Sequence, residues 1–315
     1  MEVDTIADFR RGRTAGSVDR IWPMPSRFAL VLSARTLLPK AGATAAELLA
    51  PFGASVGEFV PSGDSRYEVL TAAVELDDAR LTEARGALAA LGEAEAALVP
   101  ARVQEAASKF LIMDVDSTLI QQEVIELLAE HAGKRAEVAA VTEAAMRGEL
   151  DFAQSLHARV RTLEGLPVEV IDRVREAVLL TPGAAELVSA FHSAGHAVAV
   201  VSGGFNQILA PLADRLSLDF WRANELEIVD GRLTGRVVGE VVDRAVKEHS
   251  LRAWAAERGV PLEACIAVGD GANDLDMLGA AGLGVAFHAK PAVRAAADAA
   301  VDLPYLDVVR HFAGV

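Results

Sequence analysis

Hydrophobic and polar positions along the chain form two patterns that change near residue 100. Before it, short apolar or alternating runs predict strands over residues 28–32, 54–60, 67–76 and 96–99, with helical periodicity over 43–49 and 81–91. The turn Pro61-Ser-Gly-Asp64 separates the second strand from the third. Asp77 or Asp78 can cap the second helix, and Gly92 stands just past its end. The order β-α-β-β-α-β is the split βαβ arrangement of a ferredoxin-like α+β module. Past residue 108 the apolar runs are continuous, as in strands buried on both faces of a parallel sheet. They cover residues 110–113, 197–201 and 264–268, with shorter candidates at 283–287 and 300–303. Helical patterns over 123–132, 138–147, 152–163 and 168–178 separate the first two, and Pro167 suits the start of the last. An insert of about 60 helical residues directly after a buried strand has the character of a lid. Thr181-Pro-Gly183 opens a further helix, and residues 221–239 read as a hairpin around Asp230-Gly231.

The expected fold is therefore α/β: a Rossmann-like parallel sheet with a helical cap at about 121–180, spanning residues 101–315. A ferredoxin-like domain precedes it at 26–100, after a flexible tail at 1–25.

Composition narrows the partners. The formal net charge is −15 and the pI near 4.9, which argues against nucleic acid or an anionic membrane as the main partner. The cluster Arg10-Arg-Gly-Arg13 lacks any sustained pattern and reads as part of a mobile tail. Cys265 is the only cysteine, so no intrachain disulfide forms, and it sits in an apolar run as a small core residue. Residues 1–24 are charged throughout without an apolar signal region, and no apolar stretch approaches membrane-spanning length. A cytoplasmic enzyme is expected.

Each long apolar run beyond residue 108 ends in polar groups, where open α/β sheets bind ligands. The first, Lys109-Phe-Leu-Ile-Met-Asp-Val-Asp-Ser-Thr-Leu119, delivers Asp114 and Asp116. Two carboxylates so close repel each other, which favours a shared proton or a bound cation. The second ends in Ser202-Gly-Gly204, where bare backbone N–H groups at a helix start are expected to hold an anion. The third ends in Gly269-Asp-Gly-Ala-Asn-Asp274, and Lys247 precedes it. Together these groups suit phosphoryl transfer. One carboxylate attacks phosphorus, a divalent cation and a lysine offset the charge, and a second acid handles the leaving-group proton. Oxygen-only ligands suit Mg²⁺.

These four segments resemble the signature motifs of the haloacid dehalogenase superfamily. Asp114-Val-Asp-Ser-Thr-Leu119 is similar to the first, Val201-Ser-Gly-Gly204 to the second, Lys247 to the third and Gly269-Asp-Gly-Ala-Asn-Asp274 to the fourth. The resemblance implies Asp114 as nucleophile and Asp116 as general acid/base. It implies Mg²⁺ on Asp114, the Asp116 carbonyl and Asp270, with Asp274 orienting the metal's waters. Ser202 and Lys247 would hold phosphoryl oxygens. Within the insert, Ala145-Met-Arg-Gly-Glu-Leu-Asp-Phe-Ala-Gln-Ser-Leu156, Arg159 and Glu123 resemble the cap of phosphoserine phosphatases. That implies Arg159 on the carboxylate and Glu123 on the ammonium of O-phospho-L-serine, with Met146 and Phe152 as an apolar wall. Gly203 and Asn273 match further substrate-contacting positions. The implied reaction is the last step of serine biosynthesis. Another small ester such as phosphohomoserine stays open, as does a regulatory protein with a vestigial core. The N-terminal module resembles ACT domains in its order of elements. The turn after its first strand, Ser33-Ala-Arg-Thr-Leu-Leu-Pro-Lys40, lacks their glycine, so a structural or homodimer-forming role is expected over amino-acid sensing.

Overall fold

Alternation along the continuous apolar strands sends one set of side chains to each side of the core sheet. Leu111, Met113, Val198, Val200, Ile266 and Val268 enter one hydrophobic cluster, while Phe110, Ile112, Ala199, Val201, Cys265 and Ala267 enter the other. Both faces are thus covered, which accounts for runs without polar alternation. The computed structural model describes residues 26–92, 94–146 and 151–315, with the side chains of 143–146 outside the description. The tail at 1–25, with its Arg10–Arg13 cluster, lies outside the described residues.

The N-terminal part holds strands β1 (Ser26–Ala34), β2 (Ser55–Val56), β3 (Val60–Gly63), β4 (Glu68–Leu76) and β5 (Glu95–Pro100), with helices α1 (Ala41–Leu49) and α2 (Leu81–Leu88). They form an antiparallel sheet in the order β2-β4-β1-β5, with β3 also on β4. The single strand expected over 54–60 is instead two short pieces on the sheet edge. Pro61 lies inside β3, where it costs no ladder bond on the open side.

One face of this sheet, with Phe28, Leu30 and Leu32, packs on α1 and α2. The other, with Ala29, Val31, Val69 and Val99, joins the main core cluster alongside Val103, Val309 and Phe312. Polar ties reinforce the seam. Asp307, fully buried, accepts from Arg66 (2.5 Å) and from the Tyr67 hydroxyl (2.9 Å). Glu95 accepts from the backbone N–H groups of Asp302 (2.5 Å) and Leu303 (2.7 Å).

After α3 (Ala101–Glu105) the core sheet begins: β6 (Phe110–Met113), β7 (Ala197–Phe205), β8 (Phe220–Val229), β9 (Arg232–Val238), β10 (Cys265–Gly269), β11 (Leu283–Phe287) and β12 (Ala299–Val301). Their order is β12-β11-β10-β6-β7-β8-β9, parallel except for the β8–β9 pair. The chain moves outward on one side of β6 through β7 and β8, then returns to the other side through β10. The point where direction reverses lies at the carboxyl end of β6.

Between β6 and β7 run the insert helices α4 (Val124–His131), α5 (Arg135–Met146), α6 (Phe152–Arg161) and α7 (Glu169–Ala177), followed by α8 (Ala184–Ser193). The two limbs of the insert meet where Ile120 bridges Leu180 and Thr181 N–H bonds the Leu119 carbonyl. The remaining helices are α9 (Asn206–Leu216), α10 (Arg244–Glu257), α11 (Leu275–Ala280), α12 (Pro291–Ala296) and α13 (Val309–Ala313). Among the described residues no helix is long and apolar enough to cross a membrane.

Candidate active site

Because β6 is only four residues long and wholly buried, it releases Asp114 into the crevice between β7 and β10. The Asp114 N–H continues the ladder to Val268 O (2.9 Å), which fixes the residue in line with the strand. Its Oδ1 accepts from Val115 N–H (2.7 Å) and lies 2.6 Å from Lys247 Nζ. Both contacts fall on one oxygen, so Oδ2 has no donor among the described residues. The backbone then turns sharply, with Ser117 at φ 59°, and brings Asp116 back beside Asp114. Asp116 Oδ1 is buried without a hydrogen-bond partner.

Lys247, fully buried on α10, also donates to Asp274 Oδ1 (2.7 Å). Asp274 Oδ2 accepts the Gly271 N–H (2.9 Å), so both of its oxygens are engaged by the protein. Such a carboxylate holds Lys247 and the loop after β10 in place. Single carboxylate oxygens of Asp114, Asp270 and Asp274 lie within 4.8 Å of one another.

Burial and mutual repulsion raise the carboxyls of the site. Burial, then the Asp274 charge, push the Asp114 carboxyl up to about 8 against the pull of Lys247. Burial, then Asp274 and Glu123, push Asp270 up to about 6. Asp116 is held well above the usual carboxylate range by burial and by its neighbours Glu123 and Asp114. Lys247 goes the other way: burial opposes its charge, but Asp114 and Asp274 more than offset this and keep it protonated. Hard oxygen donors that resist ionising together until positive charge arrives fit a Mg²⁺ ion.

A cavity of ≈ 580 Å³ opens above these groups. Its walls include Asp114, Asp116, Glu123, Phe152, Arg159, Gly203, Asp270 and Asn273. The cap and core residues singled out from sequence therefore face one space. Ser202 and Lys247 stand directly behind the wall. Ser202 Oγ accepts from Gly204 N–H (2.7 Å), which leaves its own proton free to donate. The side chain of Met146, the last residue of α5, lies outside the described residues.

One expectation is corrected. Ser202, Gly203 and Gly204 do not start a helix; they lie within β7, at a register shift between Val201 and Phe205, and α9 starts at Asn206. The glycines serve close approach instead. A Cβ on Gly204 would come within 3.3 Å of Asp116 Oδ2, and one on Gly203 within 3.1 Å of the Phe152 ring.

Sequence reading missed Ser117, Asp151, Ser155 and Lys290, which also line the cavity. Ser117 Oγ donates to Glu123 Oε1 (2.8 Å) and aims that carboxylate. Asp151 caps α6 through Gln154 N–H (2.7 Å) in a capping box, a signal that the string Asp151-Phe-Ala-Gln154 carries. Lys290 follows β11, and its N–H bonds the Asp270 carbonyl (3.3 Å). Its signal was only that a further buried strand ends just before it.

A doubly wound α/β sheet with acids and a buried lysine gathered at its reversal point, beneath a helical insertion, defines the class of enzyme. The description "haloacid dehalogenase-like hydrolase" matches residues 111–279, over half of the chain, and the chain belongs to that family. It is 55% identical over 267 residues to the phosphoserine phosphatase of Streptomyces coelicolor, covering 85% of this chain and 62% of that protein. It is 59% identical over 207 residues to phosphoserine phosphatase SerB2 of Mycobacterium tuberculosis, covering 66% of this chain and 51% of that one. The chain thus spans 62% and 51% of the length of these two relatives. Among solved structures it is similar to a probable phosphoserine phosphatase from Vibrio cholerae in its unliganded form. The TM-score is 0.73 at 39% identity, covering 91% of this chain and 87% of that one.

Proposed function

We propose that this chain hydrolyses O-phospho-L-serine to L-serine and phosphate through a phosphoaspartyl intermediate on Asp114. The observation that carries the reading is that Glu123 and Arg159 share one cavity with Asp114 and Asp116. Phosphoserine presents a phosphate, an ammonium and a carboxylate. The cavity offers a nucleophile, an acid and an arginine to match them, and the relatives named above are phosphoserine phosphatases.

Asp114 Oδ2 attacks phosphorus while Lys247 holds Oδ1 and the emerging charge. Asp116, which retains its proton through burial, gives it to the departing serine oxygen. As a carboxylate it then takes a proton from the water that attacks the phosphoaspartate. Ser202 Oγ–H and the Gly203 backbone receive phosphoryl oxygens, with the Gly204 N–H holding Ser202 Oγ in place. Asp114, Asp270 and the Asp116 carbonyl would hold Mg²⁺, whose charge offsets that of the phosphate dianion. Arg159 grips the carboxylate in a fork, Glu123 takes the ammonium, and Gly203, Asn273 and Phe152 complete the enclosure.

The N-terminal sheet order places β2 and β3 outside β4, then β1 and β5, which supports a ferredoxin-like, ACT-like module. Its inward face is occupied by the chain's own core, so a homodimer would form through its helices or its β2–β3 edge.

The test compares kcat/KM for O-phospho-L-serine with phosphoethanolamine, which lacks the carboxylate, and phosphoglycolate, which lacks the ammonium. Phosphoserine should exceed both, and Arg159→Ala and Glu123→Gln should each erase one of the two preferences. Equal rates on all three esters would contradict the substrate assigned here.

A further inference from the structure

Arg159 stands on α6, and the last turn of α6 does not hang free above the sheet. It rests on β9, the edge strand of the core. Between Leu226 and Ile228 of β8, the partners on β9 move from Val237 to Leu233, so β9 bulges there with Gly235 at the middle of the irregularity. Gly235 is buried at φ 76°. A Cβ built on it would lie 2.9 Å from Glu164 Cβ and 3.3 Å from both Arg161 Cα and the Arg161 carbonyl oxygen. These atoms belong to the backbone or sit next to it, so a side chain at 235 displaces the end of α6 instead of being tolerated by a rotation.

The next residues are laced to the same hairpin. Gly165 N–H bonds Leu233 O (2.9 Å), Leu233 N–H bonds Leu166 O (2.9 Å), and Val168 N–H bonds Gly231 O (2.9 Å). Arg232 adds a bond to Gly165 O (2.7 Å), and on α7 Arg175 Nε donates to Gln207 O of α9 (2.7 Å). The α6–α7 half of the cap is thus fastened to the core by backbone ladder bonds.

We infer that the β8–β9 hairpin is the brace that places Arg159 in the cavity, with Gly235 as its positioning residue, so that preference for a carboxylate-bearing ester is set from outside the cavity. Only Val160 separates Arg159 from Arg161 on the helix, and a shift of the helix end carries the guanidinium with it. A bidentate grip tolerates little displacement, and misplacement of a positioning group by about 1 Å costs on the order of 10²-fold. The inference rests on the substrate reading above for its selectivity readout, but not for its structural one.

The variants are Gly235→Ala, Arg232→Ala and the control Gly239→Ala. Gly239 has the same left-handed backbone, φ 81°, but a Cβ there would meet nothing within 4 Å. Gly235→Ala is expected to lower kcat/KM for phosphoserine by about tenfold or more while leaving phosphoethanolamine unchanged. It is also expected to speed amide hydrogen exchange across residues 152–161. Arg232→Ala should move both readouts the same way by less, and Gly239→Ala should move neither. If Gly235→Ala does not accumulate as folded protein, Arg232→Ala decides on the same two measurements. A fall on both esters alike, equal effects in Gly239→Ala, or unchanged exchange across 152–161 would overturn the brace. A wild type without preference for phosphoserine would overturn the substrate reading instead, and exchange would still decide the brace.

Discussion

Replacing Lys247 by methionine tests the electrostatic centre of the site. Its Nζ lies 2.6 Å from Asp114 and 2.7 Å from Asp274 in a fully buried position. Methionine keeps most of the volume and removes the charge, leaving two buried carboxyls without a counter-charge. Removing one partner of a buried ion pair costs about 3–5 kcal/mol when the remaining charge cannot escape. Here it can escape by protonation, because Asp114 already sits at about 8 with the lysine present. Without the lysine its downward pull is gone, and the Asp114 value rises further.

A carboxyl raised in the folded state contributes stability that is fully present below its unfolded value, near 4, and lost as pH climbs through the folded value. Thermal unfolding with chelator present should therefore show the variant close to wild type at pH 5. The gap should open only as pH passes about 8, where the wild-type Asp114 ionises beside Lys247 and the variant's keeps its proton, and should grow by about 1.4 kcal/mol for each further pH unit. Phosphate release with Mg²⁺ at pH 7 should fall by about 10²–10³, as for loss of a transition-state charge stabiliser. A destabilisation of the same size at pH 5 and pH 9.5 would mean lost packing and not uncompensated charge, and would refute this electrostatic role of Lys247.

Other expectations follow from the same geometry. Asp116→Asn should slow both formation and breakdown of the phosphoenzyme in rapid-quench experiments by about 10²–10⁴; normal turnover would remove the acid/base role. The rise in melting temperature on adding Mg²⁺ should be larger at pH 8 than at pH 5.5, because Asp114 at about 8 and Asp270 at about 6 must lose their protons to bind it. A shift independent of pH would count against these ligands. Removing residues 1–100 should lower the melting temperature and expose apolar surface to a dye, since Val103, Val309 and Phe312 share a cluster with Ala29 and Val99. An unchanged melting temperature would show that the shared cluster carries no stability.

The sequence was most informative where one period governed a segment. Strands buried on both faces show as unbroken apolar runs, and the acids at their ends are visible because strand and site are contiguous in the chain. Lys290 and Ser117 escaped notice because they reach the cavity from loops, where no periodicity marks direction. Glycines after a strand usually mark a helix start, as the sequence Ser202-Gly-Gly204 suggests. Here they extend β7, and their lack of side chains makes room for Asp116 and Phe152. Likewise nothing in residues 28–32 shows that Ala29 and Val31 join the core cluster of the later sheet while Phe28 and Leu30 face α1 and α2. A strand apolar on both faces states only that both are covered, not by what. The role of Gly235 depends on a contact with Arg161 and Glu164, about 70 residues away in sequence, and no local signal carries such a contact.

Hydrolysis of phosphoserine through Asp114 is tested most directly by phosphate release from O-phospho-L-serine and a panel of small phosphoesters, with Mg²⁺ and with chelator, for the wild type and Asp114→Asn. The expected result is metal-dependent release that is strongest with phosphoserine and absent in the variant. Release that survives chelation, or survives loss of the Asp114 carboxylate, would contradict it.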